Sequence, residues 1–332
     1  MGALGAAVGA ILPGAAHAAT PVRVGYIPIL PMAQLFVIQG EGWAAQAGLD
    51  LQLTRFSSGP AMVQALVSGT FEAAYVGIGP AMVARAAGLD LKVVAANGIN
   101  QVALIGGAAL AAAFVAAPSP AAAFARFRQD AGRPARIATL PTGSVPNTVL
   151  AHYLREVAHV AEADVQVLGV GEDRVQGMLL SGAVDGASAL EPILTIIGQR
   201  LPAARVLAGG GVMFPGQPGA VLAVRQSFIA ADRPAVQALV GLHIRATALI
   251  LSDPARAATS IGAVIGQGLV EPDLLLRALT SPAMSPVADP HAILDATRRL
   301  EAFQAGLGSL AKRVDVDALF DTSFYDAAVA GR

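Results

Sequence analysis

Cysteine is absent from the 332 residues. Disulfides, thiolate nucleophiles, cysteine-held zinc and an acylated lipobox cysteine are therefore excluded. Charge is scarce as well. Asp, Glu, Lys and Arg make up 14% of the chain, against roughly 25% in average proteins. The formal net charge is −1, so no broad basic field points to nucleic acid or an anionic membrane surface. Catalytic signatures are missing too. There is no Walker A sequence and no H-E-x-x-H. Gly186-Ala187-Ser188-Ala189-Leu190 departs from the nucleophile elbow at its last position. Gly77-x-Gly79-x-x-Met82 lacks the third glycine of a dinucleotide fingerprint. His152, His159, His243 and His291 have no ligand spacing, and Asp164, Glu172, Asp173 and Asp185 read as helix-start or strand-edge residues. These absences favour binding over chemistry, with no cofactor and no metal.

What is present is a pattern that occurs twice. The first copy runs Val63-Gln64, Ser68-Gly69, Glu72 and Gly79-Pro80; the second runs Val175-Gln176, Ser181-Gly182, Asp185 and Glu191-Pro192. Each copy reads as helix, glycine stop, acidic residue, short apolar strand, loop and a proline-opened helix. Two copies are too few for a solenoid. They predict a pair of similar βαβ lobes whose strand-end loops face each other across a cleft, and the length also suggests about two domains.

The first 18 residues resemble a secretory leader. They are apolar and small, and Ala16-His17-Ala18 offers an A-x-A cleavage site before Ala19, although no Lys or Arg precedes them. The alternative is an alanine-rich buried helix. The stretch 93–125 also lacks charge, but Asn97, Asn100, Gln101, Gly106-Gly107, Pro118 and Pro120 interrupt it. It is read as buried strands and an interlobe crossover rather than a membrane span.

Strands and helices alternate along the rest of the chain. Strands are predicted over 22–26, 49–56, 73–76, 91–96, 136–140, 165–170 and 184–189, and helices over 35–47, 60–68, 80–87, 144–154, 172–180 and 192–200. The glycine- and proline-rich run 209–219 reads as a return crossover. From Asp232 onward the chain looks helical, with Asp232, Asp253 and Asp289 placed as caps. Such alternation predicts mixed α/β sheets covered on both faces.

Three loops follow a strand and precede a helix: Ser57-Ser58-Gly59, Gly77-Ile78-Gly79 and Thr142-Gly143-Ser144. Unpaired N–H groups, glycines and hydroxyls at such positions hold polar or anionic groups without Arg or Lys. In open α/β sheets ligands sit beyond the carboxyl ends of the strands.

The ordered set Val24-Gly25-Tyr26-Ile27-Pro28, Gly40-Glu41-Gly42-Trp43, Ala47-Gly48-Leu49-Asp50-Leu51, Ser58-Gly59, 65–72, 75–80, 88–95 and Leu190-Glu191-Pro192 resembles the nitrate/sulfonate/taurine (NMT1/SsuA-like) family of ABC-transporter solute-binding proteins. The resemblance covers almost the whole mature chain. It implies a two-lobed type II periplasmic-binding fold, with mixed sheets flanked by helices and two interlobe crossovers. Lobe one would be 19–101 plus 209–332, and lobe two 102–208. By position it implies a ligand site at Ile29, Ser57, Ser58, Gly59, Gly77, Gly79, Thr142, Gly143, Ser144 and Glu191. Relatives often carry Trp where this chain has Leu190, and Glu72 stands where they have Asp.

The function implied is capture of a small solute and its delivery to an inner-membrane permease and its ATPase, by a soluble, monomeric periplasmic protein that is not an enzyme. The apolar loop Ile29-Leu30-Pro31-Met32 argues against nitrate, and Glu191 would repel an anion if it faced the cleft unpaired. An organic sulfonate with an apolar tail is expected. The alternatives are a neutral or cationic nitrogenous compound of pyrimidine-precursor type, or an enzyme or sensor module on the same fold. Pyrimidine-synthase relatives carry a cysteine-rich motif that this chain lacks. The leader predicts that the native protein, isolated from its cell and weighed by mass spectrometry, begins near Ala19; recovery of intact Met1 from the cytoplasm would overturn this.

Overall fold

A computed structural model describes residues 19–265 and 271–331. The expected leader, 1–18, lies outside the described residues. Ten strands form two five-stranded sheets. The first contains β1 (Thr20–Tyr26), β2 (Leu49–Arg55), β3 (Ala73–Gly77), β4 (Leu91–Ala96) and, far along the chain, β10 (Ala220–Arg225). The second contains β5 (Ala103–Gly106), β6 (Ala135–Thr139), β7 (Val165–Gly169), β8 (Gly186–Ala189) and β9 (Arg205–Gly209). The strand orders are β2-β1-β3-β10-β4 and β7-β6-β8-β5-β9. These are the same order, with β1 to β4 matching β6 to β9. In each sheet the fourth place is held by the strand that follows a passage between sheets. It runs antiparallel to both neighbours, β10 against β3 and β4, β5 against β8 and β9.

The sequence repeat has a physical cause. Its acidic residue closes the sheet at the start of β3 or β8. The Arg23 N–H donates to the Glu72 carboxylate at 2.8 Å, and the Arg136 N–H donates to Asp185 at 2.8 Å. The backbone reciprocates, with Glu72 N–H bonded to the Arg23 carbonyl at 3.1 Å and Asp185 N–H to the Arg136 carbonyl at 2.8 Å. Each acidic residue's carbonyl also takes an N–H from its antiparallel neighbour: Arg225 at 2.9 Å and Gly107 at 2.8 Å. A guanidinium completes each clamp, Arg23 for Glu72 and Arg133 for Asp185. Burial pushes both carboxyls up, but these hydrogen bonds and positive charges hold them below the usual carboxylate range.

The central strands are buried along most of their length, and their small residues, Ala73-Ala74 and Gly186-Ala187-Ser188-Ala189, let helices approach both faces. Side-chain caps fix helix starts where the sequence places them. Ser58, Ser144, Asp232 and Asp253 accept the N–H of Ala61, Asn147, Ala235 and Arg256 at 3.0–3.3 Å. Asp289 accepts that of His291 at 2.9 Å, opening a 3₁₀ turn.

The structure departs from expectation in three places. The helix expected over 35–47 is split into Ala33–Gly40 and Trp43–Gln46. A Cβ on Gly40 would overlap the Ser260 carbonyl, where helix Pro254–Ile265 crosses, and Gly42 turns left-handed at φ 68°. The Gly77-Ile78-Gly79 loop is already the first turn of helix Ile78–Ala86. The uncharged stretch 93–125 holds, besides strands and a crossover, helix Ala108–Ala116 and the start of Pro120–Ala131.

Helix Arg233–Ser252 is long and apolar enough to cross a membrane by length and composition, yet it packs into the core and is mostly buried. Its His243 is fully buried. The Ala96 carbonyl can only accept, so Nε2 carries the proton at 2.7 Å, and Nδ1 accepts from the Tyr75 hydroxyl at 3.2 Å. Burial drives the imidazole from 6.5 to about 4. The fold therefore holds His243 neutral, while the unfolded chain protonates it near pH 6.5. Its contribution is intact above that value and lost as pH falls towards 4, by about 3 kcal/mol in all. Urea unfolding at about pH 7.5 and about pH 4.5 should show a smaller acid loss in His243→Gln than in the parent. Equal losses would refute the assignment.

Candidate ligand cleft

The carboxyl ends of β1, β2 and β3 face those of β6, β7 and β8, and their loops touch. Leu30 N–H donates to the Glu191 carbonyl at 3.0 Å, and Glu172 N–H donates to the Ser57 carbonyl at 3.1 Å. At the third contact a Cβ on Gly79 would sit 2.9 Å from the Gly143 carbonyl oxygen. The two sheets are thus closed on each other.

Between them lies a narrow cavity of about 30 Å³. Its wall is chiefly apolar, with Ile29, Met32, Leu140, Val145 and Leu190 prominent. Ser144 and Gln217 supply its polar side chains, and no charged side chain of the described residues lines it. Both are partly engaged: Ser144 Oγ caps its helix, and Gln217 Oε1 accepts the Val102 N–H at 3.1 Å. The cleft is therefore nearly filled in this closed form, and its wall combines apolar surface with a few hydrogen-bonding groups from a hydroxyl and from helix first turns. A smaller space of about 10 Å³ is also lined by Ile29, Leu140 and Leu190, together with Glu172.

Of the residues expected at the site, Ile29, Gly59, Gly77 and Ser144 line the main cavity. Ser57 contributes its carbonyl to the cross-cleft bond, and Ser58 is buried as a cap. Gly79 and Gly143 form the close backbone contact. Thr142 is turned to an outer groove shared with Asn147 and Arg155. Glu191 is the clear departure. Its carboxylate accepts the Thr195 N–H and hydroxyl, both at 3.0 Å, and the Ser281 hydroxyl. It lines a separate cavity on the crossover side with Asn100 and Ser281. Burial raises its pKa, partly offset by those bonds. It caps helix Ile193–Arg200 and reaches Ser281 from beyond the return crossover, while its carbonyl takes the Leu30 N–H.

Three polar side chains on the walls, Gln217, Glu172 and Ser188, were not expected there, nor were apolar ones such as Leu140 and Val145. Gln217 belongs to the return crossover, whose position beside the cleft follows from topology. For Glu172 the available signal is its place after β7, equivalent to the Ser57-Ser58 loop after β2.

The crossovers pair with each other. Asn100 N–H donates to the Gln217 carbonyl at 2.8 Å and Gly219 N–H to the Gly98 carbonyl at 3.1 Å. Two matched sheets, two paired crossovers and a cavity at the facing strand ends define the two-lobed type II periplasmic-binding fold. Solved structures agree. The periplasmic nitrate-binding protein NrtA from Synechocystis PCC 6803 superposes with a TM-score of 0.78 at 14% identity, covering 94% of this chain and 89% of its own. The alkanesulfonate-binding protein SsuA from Xanthomonas axonopodis pv. citri, bound to MOPS, gives 0.74 at 20% identity over 92% and 100%. The ligand-binding component of an ABC-type import system from Staphylococcus aureus gives 0.76 at 17% over 93% and 99%.

Residues 15–265 match the NMT1-like family, and the chain belongs to it. Putative binding proteins of Brucella abortus and Brucella suis are 27% identical over 225 residues. That match takes in 67% of this chain and 64% of theirs, so the chain spans just under two thirds of these relatives' length.

Gly79 tests the closed contact. It lies inside a helix, where alanine is favoured over glycine by about 1 kcal/mol. Gly79→Ala should keep or raise the melting temperature. The added methyl should nevertheless force the Gly143 loop away and shift the population towards open forms, visible as a longer distance between spin labels on opposite sheets. An unchanged distance distribution would show that the contact does not limit closure.

Proposed function

We propose that this protein is the solute-binding component of an ABC importer, acting as a soluble periplasmic monomer. It takes up a small organic solute between two lobes and hands it to an inner-membrane permease served by an ATPase. Lobe one comprises 19–101 and 209–332, lobe two 102–208, and the paired crossovers are the hinge. The carrying observation is the apolar cleft at the facing strand ends of two equivalent sheets. A solute there touches both lobes, so it stabilises the closed form over the open one. The binding proteins for nitrate and alkanesulfonate among the similar structures support this reading. Binding without chemistry fits the wall, since no charged side chain of the described residues lines the main cavity.

Small-angle scattering should show the radius of gyration fall on saturation with a solute that raises the melting temperature. A solute that stabilises the protein at unchanged radius would count against hinge closure.

A further inference from the structure

We propose that the cavity on the crossover side of the cleft is a second binding site, that it takes an organic ammonium ion with a compact apolar body, and that its occupant fixes the hinge angle. The hinge effect rests on the two-lobed reading; the site itself does not.

The cavity has a volume of about 270 Å³, far more than the closed cleft leaves. An apolar cavity of about 150 Å³ already holds benzene. The walls come from each part that hinge motion would move. Leu194 and Thr195 belong to helix Ile193–Arg200, and Val206 to β9. Ser281, Pro282 and Ala283 arrive from beyond the return crossover. Asn100 and Gly210 are crossover residues, packed so closely that a Cβ on Gly210 would overlap the Asn100 backbone. An occupant that touches all of these fits one hinge angle better than others, and so stabilises it.

The charge comes from Glu191, which also lines this cavity and is 2% exposed. Its carboxylate accepts the Thr195 N–H and hydroxyl and the Ser281 hydroxyl. Both partners line the same cavity, which sets the carboxylate at its wall. These donors are neutral. No basic side chain of the described residues lines the cavity or acts on the carboxylate. A buried carboxylate is ordinarily paired with a positive charge, and leaving it unpaired is costly. Here hydrogen bonds are present and the counter-charge is not. A carboxylate has about four lone-pair sites, so Thr195 and Ser281 leave room for one more donor. The buried Oδ1 of Asn100, without a partner among the described residues, adds a second acceptor. An ammonium supplies both the donor and the charge, whereas an anion would meet the Glu191 charge with nothing to offset it.

Three probes with one phenylmethyl body test this by calorimetry on the full chain: benzylammonium, benzyl alcohol and phenylmethanesulfonate. In the parent, benzylammonium should bind about ten- to a hundredfold more tightly than the alcohol, and the sulfonate most weakly. Glu191→Gln should bring ammonium and alcohol to similar affinity, with folding checked by thermal melting because Glu191 also caps a helix. Gly209 lines the cavity too, and an added Cβ there meets no atom within 4 Å. Gly209→Leu therefore narrows the space while leaving the carboxylate and its bonds in place. It should weaken ammonium and alcohol together, and it decides the matter if Glu191→Gln does not fold. Neither residue lines the main cleft, so a probe bound there would keep its affinity in both variants. Spin labels on opposite sheets should give a narrower distance distribution with benzylammonium in the parent, and no change in Gly209→Leu. The proposal falls if the sulfonate binds more tightly than the ammonium, if the folded variants bind the ammonium like the parent, if no probe binds, or if binding leaves the distances unchanged. A different solute that compacts the protein while all three probes fail would remove this inference and leave the importer reading standing. Ammonium binding that depends on Glu191 and Gly209 and narrows the distances, with no compaction by any other solute, would do the reverse.

Discussion

The pairing of the two crossovers governs everything else in this molecule. Asn100 with Gln217 and Gly98 with Gly219 tie together the two passages that join the sheets, as a short antiparallel ribbon. The approach is so close that a Cβ on Gly219 would overlap the Gln101 side chain and lie 2.7 Å from the Gly98 carbonyl. The ribbon is a shared edge from which both sheets run with their strand ends opposed. The cavity, the three cross-cleft contacts and the placement of Glu172 all follow from that arrangement.

Closure is built from backbone rather than from ion pairs. Leu30 with Glu191, Glu172 with Ser57 and Gly79 against Gly143 are main-chain contacts of neutral groups. Each such bond nets on the order of 1 kcal/mol. A hinge held by a few contacts of that size is well matched to a ligand that must be released as well as caught. The charged residues are concentrated elsewhere. Glu72 and Asp185 are held inside their own sheets, where each ties two strands together.

Much of this could be read from the residues, and the failures have physical reasons. The repeat was legible because Glu72 and Asp185 do the same work, accepting the N–H of Arg23 and of Arg136. The helix caps were legible because Ser58, Ser144 and three aspartates act within three residues of themselves. By contrast, β5, β9 and β10 are short, alanine- and glycine-bearing runs with no alternation, and long-range pairing decides them. Helix Ala108–Ala116 hides for a similar reason, since its residues are nearly all apolar and no polar face marks its period. At the cleft, sequence gave the identity of Glu191 but not its direction, although Thr195 four residues on is a ready partner for a capping acid. Glu172 reads as an ordinary helix start, because Ile29 and Leu140, which wall its cavity, arrive from distant segments.

The two sheets share one order of strands but not one order of synthesis. In the second sheet β5 comes first along the chain, so β6 to β9 assemble on a contiguous segment of 103–209. In the first sheet β3 and β4 cannot be joined until β10 lies between them, after the whole second sheet has been made. Until then β3 presents an unpaired edge, the feature by which strands recruit wrong partners. The half that begins the chain is therefore the half that finishes folding last. It carries the long-range pairing that slows folding, and its open edge is what a chaperone or a transport machinery holding the nascent chain would have to shield.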